Sequence, residues 1–335
     1  MNAGVFSSIG ICGGGAWGTA LGILAANNNI PVTLWARDKN TVHSINNDQE
    51  NTKRLPGITL PENLRATQTI ADLKSCDAIV FAVPAQQART TLTMLREDCD
   101  EQTPLVICAK GIEQKNLILM PDVLRDVWPS ARGAILSGPS FAADVAHGKP
   151  TAVTIASSFH DDGKNWQAAL GATHFRPYLS DDVTGVALGG AVKNVLAIAA
   201  GIVDGMALGE SARAALIARG FAEFQRLGLV MGARAETMAG LSGLGDLVLT
   251  ASSNKSRNMA LGQRLGRGES LTQGLDAGMG ISEGVATASA VVKLADHYDI
   301  EMPICSTVAK IVEGNASVAD AVLALLSRPV RSEGL

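Results

Sequence analysis

Short, uninterrupted apolar runs recur along the first half of the chain and are separated by stretches of helical character. A run without polar alternation predicts a strand that is covered on both faces, as in a mostly parallel sheet. We interpret seven runs in this way, the last as an edge strand: residues 5–12, 31–36, 78–83, 105–108, 133–136, 152–156 and 175–179. Strands alternating with helices predict an α/β domain with a doubly wound sheet.

The pattern changes at about residue 182, after which apolar residues recur with helical spacing. The helices predicted there are residues 189–209, 213–227, 233–241, 259–266, 282–298 and 303–314. A helical pattern that is sustained without strands predicts a separate, all-α region. The sequence therefore predicts an α/β domain over residues 1–185 and an all-α C-terminal domain over residues 186–335.

A glycine motif lies where the first predicted strand meets the first predicted helix. Gly13, Gly15 and Gly18 form G-x-G-x-x-G, with Ala16 and Trp17 inside it. In a Rossmann-type domain the first glycine makes the tight turn, the second admits a pyrophosphate, and the third lets the helix pack on the strand. The N–H groups at the helix N-terminus bind the phosphates. The strand–turn–helix context predicts a dinucleotide site; the alternative is a glycine-rich turn without a ligand.

The end of the second predicted strand indicates which dinucleotide binds. An acidic residue there binds the ribose 2′-hydroxyl of NAD, whereas an arginine accommodates the 2′-phosphate of NADP. This chain has Arg37 followed by Asp38. Arg37 favours NADP(H), and Asp38 leaves NAD(H) open if its side chain turns inward. The alternative for Arg37 is a solvated loop residue.

Composition narrows the class of protein. The chain has 335 residues, 47% of them hydrophobic, which suffices for two cores. Its net charge of −4 offers no basic footprint for nucleic acid or an anionic membrane. The apolar stretch 195–208 is short and contains Asp204, which argues against a membrane span. Five scattered cysteines, no signal-peptide pattern and no metal-ligand spacing predict a cytoplasmic protein with free thiols and no metal.

Lys193 stands out because the residues that follow it are almost all apolar. A lysine on a buried helix is costly unless it is paired or functional. Desolvation and neighbouring cations lower a lysine pKa from about 10.4 toward neutrality, the range that a general acid or base requires. The alternative is that Lys193 sits in an exposed first helical turn.

Further polar residues lie after predicted strands or at helix starts. Ligands of doubly wound sheets bind at the carboxyl ends of the strands, where Lys110 and Ser140 follow two of them. Arg257 offers a fork suited to a phosphate, with Ser256 and Asn258 beside it as hydrogen-bond donors. Asp246 can accept a hydrogen bond from a substrate hydroxyl or from Lys193. The alternatives are a surface turn for Lys110 and an ordinary proline turn with a helix cap for Ser140. Taken alone, none of the loop residues Asp246, Ser256, Arg257 and Asn258 decides between a site and an ordinary loop.

Taken together, these motifs resemble those of the bacterial NAD(P)-dependent glycerol-3-phosphate dehydrogenases. The resemblance runs in order through GGGAWGTAL (13–21), VFAVPA (80–85), AKGIE (109–113), SGPSFA (137–142), GGAVKNVLAIAAGIVDG (189–205), ALIARG (215–220), LSGLGDL (241–247) and SRN (256–258). Two segments depart from the family pattern: Asp144 replaces a Glu, and Gly209-Glu210-Ser211 replaces Gly-Asp-Asn, which leaves the role of Ser211 open.

The resemblance implies a reversible hydride transfer between NADP(H) or NAD(H) and carbon 2 of dihydroxyacetone phosphate or glycerol 3-phosphate, a precursor of phospholipids. It implies that Lys193 is the proton acceptor. The substrate contacts that we expect are Lys110, Gly138, Ser140, Lys193, Asn194, Asp246, Ser256, Arg257 and Asn258. The expected cofactor contacts are Gly13, Gly15, Ala16, Trp17, Gly18, Arg37, Lys110, Ala142, Arg257, Ile281 and Glu283. A homodimer is also expected from the family.

Two alternative functions stay open at the level of the sequence. A β-hydroxyacid dehydrogenase or ketoacid reductase has a similar two-domain arrangement, with a carboxylate-binding arginine and a Lys-x-x-x-Asn helix. The position four residues after Lys193 is Ala197, which argues against that class. A non-catalytic NADP(H)-sensing module, the more distant alternative, needs the glycine motif but not Lys193, Asp246 and Arg257.

Overall fold

The structure is a computed structural model that describes residues 6–275 and 282–329. The chain divides into two compact units. Unit 1 comprises Met1–Ala109 and Met120–Val183, and unit 2 comprises Lys110–Leu119 and Thr184–Leu335. The excursion Lys110–Leu119 brings Lys110 into the same unit as residues from the C-terminal half of the chain.

Unit 1 is built on one eight-stranded sheet, in the order β10-β9-β8-β5-β4-β1-β2-β3. Neighbouring strands are parallel except for the antiparallel pair β8 and β9. The two remaining strands, β6 and β7, form a small antiparallel pair in unit 2. Within the described residues the strands are β1 (Ile9–Cys12), β2 (Val32–Trp35), β3 (Leu64–Thr67), β4 (Ala78–Phe81), β5 (Pro104–Ile107), β6 (Ile112–Glu113), β7 (Ile118–Leu119), β8 (Arg132–Ser137), β9 (Thr151–Ser157) and β10 (Phe175–Ser180).

The predicted mostly parallel, doubly wound sheet is confirmed. Its central strands β1 and β4 are buried at every position, because helices cover both faces. The sequence pattern missed β3, since this edge strand buries only Leu64 and carries exposed Arg65. It also gave no sign of the two-residue strands β6 and β7, which are too short to show alternation.

Helices pack on the sheet in unit 1 and form all of the larger elements of unit 2. In unit 1, α1 and α6 cover the core in which Leu21, Trp166 and Phe175 are fully buried. Within the described residues the α-helices are α1 (Ala16–Asn27), α2 (Lys39–His43), α3 (Ala88–Asp98), α4 (Met120–Val127), α5 (Ala142–Ala146), α6 (His160–Leu170), α7 (Val183–Gly205), α8 (Glu210–Val230), α9 (Ala235–Ala239), α10 (Asp246–Ser252), α11 (Arg257–Gly266), α12 (Leu271–Leu275), α13 (Glu283–His297), α14 (Pro303–Val312) and α15 (Val318–Leu326).

The long helix α7 begins at Val183, well before the predicted start at residue 189. Gly189, the first residue of the predicted helix, lies inside the observed one, and a Cβ on this residue would be 2.5 Å from the Ser242 carbonyl oxygen. The whole helix is therefore long and apolar enough to cross a membrane. The argument against a membrane span that was based on the short stretch 195–208 was wrong about length. However, 94% of its most apolar window is buried inside the protein, as in a core helix.

Candidate active site

The turn after β1 has the backbone geometry that a bound pyrophosphate needs. Gly13 has a φ of +128°, and a Cβ there would lie 2.7 Å from the Ala82 carbonyl oxygen. A Cβ on Gly18 would lie 2.1 Å from the Gly13 oxygen, so only glycine lets α1 pack this closely on the turn. A Cβ on Gly15 would meet nothing within 4 Å. This open space beside the N–H groups of the first turn of α1 fits a dinucleotide phosphate.

Two further residues of the motif occupy that first turn. Ala16 is the first residue of α1, and Trp17 follows it. The indole Nε1 of Trp17 is buried and has no hydrogen-bond partner among the described residues. A buried N–H normally has an acceptor, so the unpaired indole is a second feature that fits a polar ligand at this turn.

Arg37 and Asp38 differ sharply in their surroundings at the end of β2. Arg37 is exposed. The Asp38 carboxylate caps α2 by accepting a hydrogen bond from the Asn40 N–H at 3.0 Å, and it pairs with the Lys53 ammonium at 2.8 Å. Its hydrogen bond with Lys53 lowers the Asp38 pKa. The Asp38 carboxylate is thus engaged locally.

The segment after β8 brings small residues to the end of that strand. Gly138 has a φ of +146°, and a Cβ there would lie 2.8 Å from the Cα atom of Val153. The Ser140 hydroxyl donates to the Gly138 carbonyl at 3.0 Å, which holds this turn. Ala142 is the first residue of α5. All three predicted site residues therefore lie in unit 1, at the carboxyl end of one strand.

Two lysine side chains of unit 2 meet at one buried carboxylate. The Lys193 ammonium donates to Oδ1 of Asp246 at 2.6 Å, and the Lys110 ammonium donates to Oδ2 at 2.6 Å. Asp246 is fully buried, and Lys193 is 8% exposed. Two positive charges thus face one negative charge. The excess positive charge favours an anionic ligand or a developing alkoxide.

Lys193 lies in the interior of α7 and is buried, so the alternative that it occupies an exposed first turn is wrong. Sequence reasoning missed a further contact of this lysine, since the Lys193 Nζ also lies 3.0 Å from Oγ1 of Thr250. Thr250 stands four residues after Asp246 on α10, so the two side chains share a face of that helix. That spacing was the available signal, but α10 itself was not predicted.

Burial is the main cause of the unusual proton affinity of Lys193. It lowers the Lys193 pKa to about 8, assisted by the positive charge of Lys110 and opposed by the Asp246 carboxylate. Burial by itself would raise the Asp246 pKa, but the two lysines outweigh it and hold that pKa below its usual value. The cluster therefore holds an ionised carboxylate beside a lysine that can gain and lose a proton near neutral pH.

Asn194 and Asn258 form the polar layer next to this cluster. The Asn258 Nδ2 donates to the Asn194 Oδ1 at 2.9 Å, and the Asn194 Nδ2 donates to the Gly190 carbonyl at 3.2 Å. Ser256 is the N-cap of α11 and accepts from the Met259 N–H at 3.2 Å. The structure therefore brings together five of the predicted residues of unit 2: Lys110, Lys193, Asn194, Asp246 and Asn258.

The other predicted residues of unit 2 stand at helix starts. Arg257 begins α11 and is exposed, and Glu283 begins α13. Ile281 lies outside the described residues. Ser211, one of the departures from the family pattern, is exposed in the first turn of α8. Asp144, the other departure, pairs with Lys149 in unit 1 at 2.8 Å. Among the described residues there is no group of three or more His, Cys, Asp or Glu side chains placed to bind a metal.

Comparisons with known proteins match both parts of the chain. Residues 8–162 match the family model for the N-terminus of NAD-dependent glycerol-3-phosphate dehydrogenase, and residues 182–323 match the model for its C-terminus. The curated glycerol-3-phosphate dehydrogenase [NAD(P)+] of Parvibaculum lavamentivorans is 53% identical to this chain over 98% of both sequences. The enzyme of the same name from Maricaulis maris is 51% identical, also over 98% of both sequences.

A comparison with solved structures indicates the same family. The crystal structure of glycerol-3-phosphate dehydrogenase from Coxiella burnetii superposes with a TM-score of 0.93 at 37% identity, covering 96% of this chain and 99% of the other. The predicted arrangement of an α/β sheet region followed by an all-α C-terminal region is thereby confirmed.

Proposed function

This chain belongs to the NAD-dependent glycerol-3-phosphate dehydrogenase family, and we propose that Lys193 is the residue that transfers the proton in its reaction. The protein is an NAD(P)-dependent oxidoreductase that reduces dihydroxyacetone phosphate to glycerol 3-phosphate, a precursor of phospholipids. The alternatives of a hydroxyacid dehydrogenase and of a non-catalytic sensing module do not agree with this membership.

The observation that carries the proposal is the pairing of Lys193 and Lys110 with the buried Asp246 carboxylate. In reduction, the substrate carbonyl becomes an alkoxide, and the Lys193 ammonium gives its proton to that oxygen. In oxidation, neutral Lys193 takes the hydroxyl proton. A pKa of about 8 keeps both protonation states accessible near neutral pH.

Neighbouring side chains orient the lysine for this transfer. An ammonium has three N–H donors, and Lys193 directs two of them to Asp246 and Thr250. We assign the third to the oxygen on carbon 2 of the substrate. Because Asp246 also binds Lys110, its carboxylate holds both ammonium groups in place. Pre-set donors of this kind stabilise a developing alkoxide without reorganisation in the transition state.

The phosphate of the substrate needs separate donors, and unit 2 offers them at the start of α11. The proposed phosphate contacts are Ser256, Arg257 and Asn258, which combine a guanidinium fork, a hydroxyl and an amide. Lys110 and Asn194 complete the proposed substrate contacts of unit 2. The family resemblance supports Gly138 and Ser140 of unit 1 as further substrate contacts.

The glycine turn of unit 1 is the proposed phosphate site for the dinucleotide. The bound nicotinamide supplies the hydride in one direction and accepts it in the other. Open space at Gly15 and the unpaired indole N–H of Trp17 support this assignment. The remaining proposed cofactor contacts, supported by the resemblance, are Gly13, Ala16, Gly18, Arg37, Lys110, Ala142, Arg257, Ile281 and Glu283.

A preference for NADP(H) is also part of the proposal, because Arg37 is exposed while Asp38 is bound to Lys53 and to α2. The family resemblance further supports a cytoplasmic homodimer. Sedimentation of the purified protein would measure the oligomeric state.

A substrate panel tests the proposed reaction. The purified protein is expected to oxidise NADPH when dihydroxyacetone phosphate is present, and the reaction can be monitored by the loss of nicotinamide absorbance. Ketopantoate and 3-oxo acids serve as comparison substrates and should give no comparable turnover. Absence of turnover with dihydroxyacetone phosphate, or faster turnover with an oxo acid, would contradict the proposed function.

A further inference from the structure

Ser282 stands at the N-cap of α13, but its hydroxyl does not cap that helix. A serine at this position normally accepts a hydrogen bond from an N–H group in the first turn. Here the side chain makes no such bond. The Ser282 hydroxyl instead donates to Oδ1 of Asn258 at 2.6 Å, and Ser282 is 9% exposed. The hydroxyl is therefore used to hold a side chain of another helix.

The same oxygen of Asn258 accepts a second hydrogen bond, from the Gly284 N–H at 3.1 Å. A backbone N–H can only donate, so this contact determines which end of the amide faces α13. The Oδ1 atom of Asn258 must point toward Ser282 and Gly284. Its Nδ2 atom must then point away from them.

The hydrogen bonds continue from Asn258 to Asn194, the residue after Lys193 in the sequence. The Asn258 Nδ2 donates to the Asn194 Oδ1 at 2.9 Å. The Asn194 Nδ2 faces two carbonyl oxygens, that of Gly190 at 3.2 Å and that of Lys110 at 3.5 Å. Carbonyl oxygens only accept hydrogen bonds, so the Asn194 amide must direct its Nδ2 toward them. This orientation is consistent with the one that the Gly284 N–H imposes on Asn258. The side-chain amides of Asn258 and Asn194 therefore each have one orientation.

The start of α13 packs closely against Asn194 and Asn258. A Cβ on Gly284 would lie 2.7 Å from the Asn194 carbonyl oxygen and 2.8 Å from Oδ1 of Asn258. The helix start is thus in direct contact with both asparagines. A flipped Asn258 amide would point its NH₂ group at the Gly284 N–H and at the Ser282 hydroxyl, and its oxygen at Asn194.

We propose that Ser282 is a positioning residue for the substrate phosphate, because it holds Asn258 with its N–H donors directed away from α13. This inference rests on the proposed function, in which Asn258 binds the phosphate. A flipped amide would present an acceptor oxygen to an anion and weaken its binding. The effect belongs to substrate binding, since Ser282 forms no hydrogen bond with Lys193 or Asp246 among the described residues.

A graded series of variants tests this role. Ser282→Thr keeps the hydroxyl, Ser282→Cys keeps a weaker donor and Ser282→Ala has none. Loss of one hydrogen bond corresponds to about a 2- to 10-fold change. We expect the KM for dihydroxyacetone phosphate, and the calorimetric Kd for glycerol 3-phosphate, to rise in the order Thr, Cys, Ala by up to about 10-fold. The kcat should stay within about 2-fold, as expected for a residue that acts on binding.

Two controls separate positioning from a structural effect. Ser317→Ala removes an N-cap hydroxyl on α15 that does cap its helix, and it should lower the melting temperature without changing either constant. In an Asn258→Ala background, Ser282→Ala should have no further effect on KM or Kd, because the side chain through which it acts is gone.

The outcomes distinguish this inference from the proposed function. A wild-type protein without dihydroxyacetone phosphate reductase activity would refute the function. An active wild type whose Kd is the same in Ser282→Ala, or whose Ser282→Ala effect persists in the Asn258→Ala background, would refute the inference. Should Ser282→Ala fail to fold, the comparison of Thr with Cys decides: equal Kd values for these two variants would refute it as well.

Discussion

Lys193 and Asp246 form a buried ion pair, with the lysine Nζ 2.6 Å from Oδ1 of the carboxylate. The two residues are 53 positions apart in the chain. A buried charge pair adds little stability unless further hydrogen bonds satisfy it. Lys110 and Thr250 provide them, at 2.6 Å and 3.0 Å. This arrangement is suited to holding a lysine whose proton is exchanged during the reaction.

Replacing Lys193 should abolish turnover without unfolding the protein. Lys193→Met retains the length and apolar stem of the side chain, so folding and cofactor binding should persist while kcat falls by about 10²- to 10⁴-fold. Lys193→Arg should fail almost as badly, because a guanidinium does not release its proton near neutral pH. Steady-state kinetics and calorimetric binding of NADPH measure both effects. An active Lys193→Arg enzyme would make Lys110 the next candidate for the base.

The pH profiles of the two reaction directions should be opposite. Burial lowers the Lys193 pKa to about 8, so reduction, which needs the ammonium, should lose activity as the pH rises through about 8. Oxidation, which needs the neutral amine, should gain activity over the same range. Asp246→Asn removes a charge that raises this pKa and should shift both profiles to lower pH. Asp126→Asn, which removes an exposed carboxylate paired with Arg89, should leave them in place.

Arg37→Ala should affect the two cofactors differently. Loss of a charge-assisted contact with a 2′-phosphate costs roughly 1.5–3 kcal/mol, or about a 10- to 150-fold rise in KM for NADPH. The KM for NADH should change little, because NADH has no 2′-phosphate. Lys39→Ala, an exposed cation two residues away, is the matched control. Equal losses with both cofactors would mean that Arg37 acts only on the shape of the loop.

Two alanine substitutions in the glycine turn should separate folding from cofactor binding. A Cβ at position 18 would lie 2.1 Å from the Gly13 oxygen, so Gly18→Ala should lower the melting temperature. Gly15 has a φ of −77° and open space around its Cβ position, so Gly15→Ala should fold with normal stability. Its methyl group should nevertheless weaken NADPH binding, by about 5- to 150-fold for a steric cost of roughly 1–3 kcal/mol. A Gly15→Ala protein with unchanged affinity would argue against phosphate binding there.

Glu223 should make the stability of the protein pH-dependent. Burial raises its pKa to about 7, against the hydrogen bonds that it accepts from the Ile304 and Cys305 N–H groups. The native state then binds the proton more tightly than the unfolded state, so stability should fall as the pH rises from about 4.5 to 7. Urea unfolding of Glu223→Gln should show a weaker dependence over this range. Glu236→Gln, at an exposed position on α9, should retain the wild-type dependence.

The local sequence pattern was sufficient to predict the central strands, the glycine turn and the burial of Lys193. Uninterrupted apolar runs predicted the central strands, because a strand covered on both faces has no polar side to show. The glycine motif predicted the turn after β1. Gly13 and Gly18 lie where a Cβ would collide with the backbone, and Gly15 lies beside open space. The apolar surroundings of Lys193 predicted its burial. In each case the determining residues are neighbours in the chain, and their spacing carries the information.

Only the tertiary structure revealed the features that depend on contacts between residues far apart in the sequence. The start of α7 was misplaced because Gly189 is there for a close approach to Ser242, which no local pattern reveals. Thr250 and Ser282 were missed for the same reason, since their importance lies in contacts with Lys193 and Asn258. Lys110 reaches Asp246 across 136 positions only because its segment packs with the helical unit. A sequence names the groups that can form such contacts, but their energies depend on distances that only the folded chain sets.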